Sequence, residues 1–93
     1  MREVFLVDGD NKSKAEDLLR KDDEIGRGSI TLKSAGSLEM EEDGYFIILD
    51  ASEERIKKAE TLLKGIAQKY AHQKKVLEKF DEQEDAAIEG FGN

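Results

Sequence analysis

The chain contains no cysteine, no proline and no tryptophan, and its 93 residues include a single histidine. Without cysteine it has no disulfide, no thiolate nucleophile and no zinc or iron–sulfur site built on thiolates. The one histidine, His72, lies in the most polar part of the chain and has no partner at a catalytic or metal-ligand spacing. The sequence therefore favours a protein that is not an enzyme and that works in a reducing compartment.

Long apolar runs are absent as well. No run approaches the roughly 18–20 residues that span a bilayer. The apolar run at 4–7 is too short for a signal peptide, and Asp8 ends it at once. No Walker or dinucleotide fingerprint is present, so no cofactor is predicted. We expect a cytoplasmic protein that has no membrane contact.

Charge is abundant and unevenly placed. Charged residues make up 40% of the chain, and the net charge is −7. Residues 55–79 are strongly basic, whereas the segments before and after them are acidic. Much lysine and glutamate without cysteine is a thermophile composition, and it is equally ordinary for a small helical protein. The length indicates a single domain.

Two strand–helix units organise the sequence. Residues 3–7 read as a strand, and the following helix begins with Ser13 and Glu16 at capping-box spacing and stops near Asp23, before the glycines of 26–28. Residues 45–49 are continuously apolar and are predicted to lie in the middle of a sheet. Ser52 is then a good N-cap for a second helix. Its apolar stripe at three-four spacing continues from Ile56 to Tyr70.

Residues 29–41 alternate between apolar and polar side chains, with an interruption at 34–37. The alternation predicts either a hairpin with strands 29–33 and 37–41 or one bent strand with a bulge. The hairpin is the preferred interpretation.

These elements predict an α+β fold. It is a two-layer sandwich with helices on one face of a three- or four-stranded sheet, in the order β-α-β-β-(β)-α. The order is partly ferredoxin-like, but no obvious final strand follows the second helix. Residues 1–93 form a single domain with a core at 1–70, a C-terminal helix or extension at 71–90 and a tail at 91–93. One helix over 53–88 would be about 54 Å long, so it either breaks within 68–75 or projects.

Metal binding has weak candidates in Asp8, Asp10 and Asp50. The first two begin an EF-hand-like loop, but Lys12 stands at the third ligand position. Asp8 and Asp50 each end a strand, and in a ferredoxin-like sheet these ends are expected at opposite edges. The acidic residues 39–43 are interpreted as a solvated turn.

Nucleic-acid binding has candidates on the basic segment, which would present its cations along one helix. They are Arg55, Lys58, Lys69, Lys74 and Lys75. The acidic net charge opposes long-range attraction of a nucleic acid. Only one of the eight basic residues at 55–79 is arginine, whose guanidinium can form paired hydrogen bonds to phosphates and bases that lysine cannot.

Partner binding has candidates in the apolar residues of the terminal helix and just before it, namely Tyr70, Leu77, Phe80 and Ile88. Two alternatives stay open. The helix packs back on its own sheet, or it pairs with a second copy, basic stretch against acidic stretch.

The stretches YFIILDASEER at 45–55 and AAIEGFG at 86–92 resemble small, uncharacterised archaeal proteins. The resemblance implies no active site, ligand or fold. The leading hypothesis is a non-enzymatic protein-interaction or regulatory module that works through a sheet edge and the C-terminal helix. A nucleic-acid accessory protein and a weak divalent-cation-binding protein are the alternatives.

Overall fold

A computed structural model describes residues 1–25 and 29–91, and all of their side chains except those of 29 and 85–91. The glycine-rich loop predicted at 26–28 lies outside this part of the chain. The strands are β1 (Arg2–Val7), β2 (Ser29–Ser34), β3 (Tyr45–Asp50) and β4 (Ala67–Lys69). The helices are α1 (Lys12–Arg20), α2 (Glu53–Leu62) and α3 (Gln73–Phe91), and a short 3-10 turn spans Gly36–Leu38.

The four strands form one antiparallel sheet in the order β2-β3-β1-β4. Strand β3 is central, with Ile47 opposite Phe5 of β1 on one side and opposite Leu32 of β2 on the other. A continuously apolar strand buried on both faces belongs in this position. The prediction for 45–49 is confirmed.

Side-chain alternation along the strands gives the sheet two apolar faces. Phe5, Ile47 and Leu49 face α1 and α2, and they are buried with the apolar residues of those helices, Ala15, Leu19, Ile56, Ala59 and Leu63. The α+β class and the layer of two helices on one face are thereby confirmed.

The extra C-terminal helix, α3, covers the opposite face of the sheet. Val76 of α3 is fully buried against Val4, Phe46 and Ile48, and Leu77 and Phe80 pack at its margin. Among the described residues, no helix combines the length and the apolar character that a bilayer span requires.

The predicted strand at 37–41 is wrong. Strand β2 ends at Ser34 and pairs with β3 rather than with a neighbour across a short turn. The chain then enters the 3-10 turn, where the Ala35 carbonyl accepts from the N–H groups of Leu38 and Met40 at 3.2 and 2.9 Å. The apolar residues Leu38 and Met40 suggested the alternation of a strand. In the structure the turn directs both side chains into the cluster beneath α3.

The prediction that the second helix continues to Tyr70 is also wrong. Helix α2 ends at Leu62, and Gly65 adopts a φ of +82°, a left-handed conformation that suits a helix C-terminus. Strand β4 follows at once, and the N–H of Tyr70 donates to the Val4 carbonyl at 2.9 Å. This short strand is the one that the sequence analysis did not find, and it completes the βαββαβ order of the ferredoxin-like arrangement.

The start of α1 differs from the predicted capping box. The N-cap is Asn11, so Ser13 lies inside the helix. The side chain of Asn11 makes no capping bond. Glu16 accepts from Arg20 Nε at 2.9 Å, one turn later, instead of reaching back. The helix ends at Arg20 rather than near Asp23.

Ser52 caps α2 as predicted, because its hydroxyl oxygen accepts from the N–H of Arg55 at 3.3 Å. Ser52→Ala is expected to lower the free energy of unfolding by about 1 kcal/mol, since an orphan helix N–H loses its acceptor. Ser13→Ala is the matched control and is expected to be neutral or slightly stabilising, because alanine has the higher helix propensity. Urea unfolding followed by circular dichroism measures both. Equal losses would contradict the placement of the two serines.

Helix α3 is held at its middle by Arg2, whose guanidinium donates to both carboxylate oxygens of Asp81 at 2.8 and 3.1 Å. This bond lowers the pKa of Asp81 below its ordinary value. A lowered folded-state pKa stabilises the fold above the unfolded pKa of about 3.9, and the contribution is lost as pH falls through the folded pKa.

We expect Asp81→Asn to cost about 0.2–1 kcal/mol at pH 7, because the pair is exposed to solvent. The difference from wild type is expected to shrink below pH 4 and to vanish once Asp81 is protonated. Unfolding free energies measured from pH 7 to pH 2 test this. A difference that stays constant over the whole range would show that the charge of Asp81 is not involved.

Candidate functional site

Of the acidic residues proposed for metal binding, Asp50 is separated by the sheet from Asp8 and Asp10. Asp50 pairs with Arg2 at one end of β1, whereas Asp8 follows Val7 at the other end. Asp8 accepts from the backbone N–H of Asn11 at 2.9 Å and acts as a turn residue, and Asp50 lies 3.6 Å from the N-terminal amine. Asp10 is exposed beside Asp8. Among the described residues, no group of three or more metal-ligating side chains of His, Cys, Asp or Glu is close enough to hold an ion.

The basic residues proposed for nucleic-acid binding lie on three elements rather than on one helix. Arg55 and Lys58 are on α2, Lys69 is on β4, and Lys74 and Lys75 begin α3. Lys58 contacts Asp22 at 3.0 Å and Glu24 at 3.1 Å, and the hydrogen bond to Asp22 raises its pKa.

Lys69 likewise contacts acidic neighbours, Glu60 and Glu3, and its pKa is raised, mainly by Glu60. The positive charges of Lys58 and Lys69 therefore face carboxylates of the same chain.

The apolar residues proposed for partner binding pack on the chain itself. Tyr70 is 9% exposed, and its ring meets Phe46 edge to face at 4.9 Å between centroids. Leu77 and Phe80 adjoin the same cluster. The side chain of Ile88 lies outside the described part of the structure. Of the two alternatives for the terminal helix, the contacts of its first half correspond to packing on its own sheet.

A polar cleft of about 400 Å³ opens where the acidic turn meets the start of α3. It is lined by Glu39, Met40, Glu41, Glu42, Tyr70, His72 and Lys75. The Tyr70 hydroxyl donates to Glu42 at 3.0 Å, and burial, with Glu42 beside it, raises the pKa of Tyr70.

In the sequence, the acidic turn and His72 are separate polar features. Nothing in the sequence signals that they meet, because about thirty residues separate them. The 3-10 turn brings the acidic residues to α3, where Glu39 lies 3.5 Å from Lys79. The cleft mixes carboxylates with cations and is open to solvent.

The outer edge of β2 is the second feature with available polar groups. The N–H of Ala35 donates to the Gly44 carbonyl at 2.9 Å, which continues the β2–β3 ladder by one pair. Backbone groups in an antiparallel strand point alternately to its two sides. Because Ala35 bonds to β3, the backbone N–H and carbonyl groups of Thr31 and Lys33 also point toward β3. Those of Ile30, Leu32 and Ser34 point outward.

No protein-family model, no curated protein and no solved structure matches this chain. The site is therefore assigned from geometry, and the outer edge of β2 is the candidate that stands out. In the described part of the chain no strand pairs with this edge, and no hydrogen bond reaches the outward groups of Ile30 or Leu32. The Ser34 carbonyl accepts from the Ser37 hydroxyl at 2.8 Å and keeps a second lone pair.

The opposite edge of the sheet is blunted. Strand β4 is only three residues long, and its outward residue Lys69 carries a charge that pairs with Glu60. Beyond the end of β4, the side-chain amide of Gln73 bonds to β1 in place of a strand. Its oxygen accepts from the Val4 N–H at 3.2 Å, and its nitrogen donates to the Glu3 carboxylate at 3.0 Å. Short strands, charge and covered ends are the usual protections of an edge. Strand β2 has six residues and no proline, and the ammonium of Lys33, its single charged residue, lies over the Phe80 ring of α3.

Proposed function

We propose that this chain is a non-enzymatic protein-interaction module whose contact surface is the outer edge of β2. A partner segment in extended conformation adds to the sheet there and bonds to the outward N–H and carbonyl groups of Ile30, Leu32 and Ser34. The single observation that supports this most strongly is the contrast between the two edges, one blunted by Lys69 and Gln73 and the other open.

Strand addition of this kind obtains affinity from main-chain hydrogen bonds and specificity from alternate side chains. Ile30 and Leu32 lie on the side of α1 and α2, where they are only partly buried, so they offer apolar contacts to the added strand. Thr31 and Lys33 lie on the other face and offer a hydroxyl and a charge.

The test uses Ser34, because its N–H points away from β3. Ser34→Pro removes that donor and places a ring in the path of an added strand, while the ladder to β3 keeps its bonds; proline is tolerated at an edge in this orientation. Ser34→Ala is the matched control, because it loses the same hydroxyl acceptor for the Ser37 N–H but keeps its own N–H.

Proteins retained from a lysate by the immobilised wild-type chain are purified and titrated against all three forms. We expect Ser34→Ala to bind like wild type and Ser34→Pro to bind at least tenfold more weakly, with circular dichroism confirming that both variants are folded. Equal affinity of Ser34→Pro and wild type would overturn the proposal, and so would the absence of any protein partner, a second copy of the chain included.

A further inference from the structure

The outward groups of β2 are spaced so that the strand can pair with itself. A two-fold axis through an antiparallel pair requires that if residue i faces residue j of the partner, j faces i. A register centred on Leu32 places Leu32 opposite Leu32 of the second copy and Ile30 opposite Ser34. All of the outward residues then find partners, whereas a register centred on Thr31 leaves Ser34 without one.

The side chains agree with this register. Residues directly opposite one another point to the same face of the combined sheet, so Leu32 and Ile30 extend the apolar layer beneath α1 and α2 across the seam. On the face of α3, Lys33 lies opposite Thr31 of the second copy. The register places no like charges directly opposite each other, an arrangement that would be unfavourable.

We infer that the partner at this edge is a second copy of the chain, bound through β2 in the register centred on Leu32. Two four-stranded sheets thereby join edge to edge. This inference rests on the proposed function of the β2 edge and names its occupant.

The net charge of −7 on each copy opposes association, because like-charged proteins repel at long range. Salt screens this repulsion, with a Debye length of about 10 Å at 0.1 M and 3 Å at 1 M. The dimer is therefore expected to strengthen as salt rises. A dimer that pairs the basic segment 55–79 with an acidic segment would weaken instead, so the salt dependence separates the two modes.

The experiment uses the absence of cysteine from the natural chain. Leu32→Cys places two thiols at a hydrogen-bonded pair, where the Cα atoms are about 5.5 Å apart, within the range that a disulfide spans. Ile30→Cys is the matched control. In the proposed register its two copies are displaced by four residues, roughly 13 Å, and a disulfide cannot form.

Both variants are oxidised with a glutathione redox couple at about 100 μM protein, and the dimer fraction is read on a non-reducing gel. We expect Leu32→Cys to exceed Ile30→Cys at least tenfold. Light scattering of the natural chain after gel filtration is expected to show more dimer at 1 M than at 0.1 M salt, and Ser34→Pro is expected to abolish it.

Equal cross-linking by the two cysteine variants, or a natural chain that stays monomeric at every salt concentration, would overturn the homodimer. Such a result leaves the proposed function standing if a different protein binds wild type and Ser34→Ala but not Ser34→Pro. If Ser34→Pro also retains every partner, both proposals fail together.

Discussion

Replacing Phe46 by alanine is expected to lower the free energy of unfolding by roughly 3–5 kcal/mol. Phe46 is fully buried in the central strand beneath α3. Its ring also meets Tyr70 edge to face, a geometry that adds to simple burial. Small domains are stable by only about 5–15 kcal/mol, so this one change removes a large part of the total.

The matched control is Phe80→Ala, which removes the same side chain from the partly buried margin of α3. It is expected to cost less than half as much, because less apolar surface returns to water and less cavity remains. Urea unfolding followed by far-ultraviolet circular dichroism measures both, since the chain has no tryptophan. A larger loss for Phe80→Ala would mean that the α3 face is not centred on Phe46.

Gly44→Ala is expected to be nearly as damaging, at roughly 2–5 kcal/mol. Gly44 has a φ of +120°, where side chains are strained, and a Cβ there would lie 2.4 Å from the Val7 carbonyl oxygen. That oxygen belongs to the backbone of β1 and cannot move without distorting the ladder. The carbonyl of Gly44 also accepts the bond from Ala35 that continues the β2–β3 pairing, so strain at Gly44 affects β2 and β3 as well as β1.

Gly36→Ala serves as the control for Gly44→Ala, because no atom lies within 4 Å of the added Cβ and its φ is not in the left-handed region. A change within about 0.5 kcal/mol is expected there. The same denaturation assay compares the two variants. Similar stabilities would contradict the close approach of Gly44 to β1.

Local patterns predicted the elements whose signals are strong. The apolar run at 45–49 and the cap at Ser52 were predicted correctly, because burial on both faces and a cap hydroxyl each leave a direct mark in the sequence. The antiparallel placement of Asp8 and Asp50 followed from the expected topology.

The segment from Ile66 to Tyr70 was mispredicted because the two residues extend the three-four spacing of α2, although they pack in the clusters on opposite faces of the sheet. Only tertiary contacts decide between them: Tyr70 is buried beneath α3, and its N–H bonds to Val4. Local pattern is a weak prior that such contacts override.

The candidate site was harder to predict than the fold. The hypothesis that a sheet edge forms the contact surface came from the sequence, but which edge is open depends on Gln73, whose side chain bonds to Val4 of β1 beyond the end of β4. Gln73 and Val4 are nearly seventy residues apart in the chain, so their hydrogen bond leaves no local pattern in the sequence.

The most direct test of the open edge is amide hydrogen exchange in β2, measured by NMR on a dilute, monomeric sample. With an open edge, the exchange rates are expected to alternate: the amides of Thr31 and Lys33, bonded to β3, exchange slowly, while those of Ile30 and Leu32 exchange much faster. Uniform protection of these four amides in the monomer would show that the edge is already covered and would contradict the account.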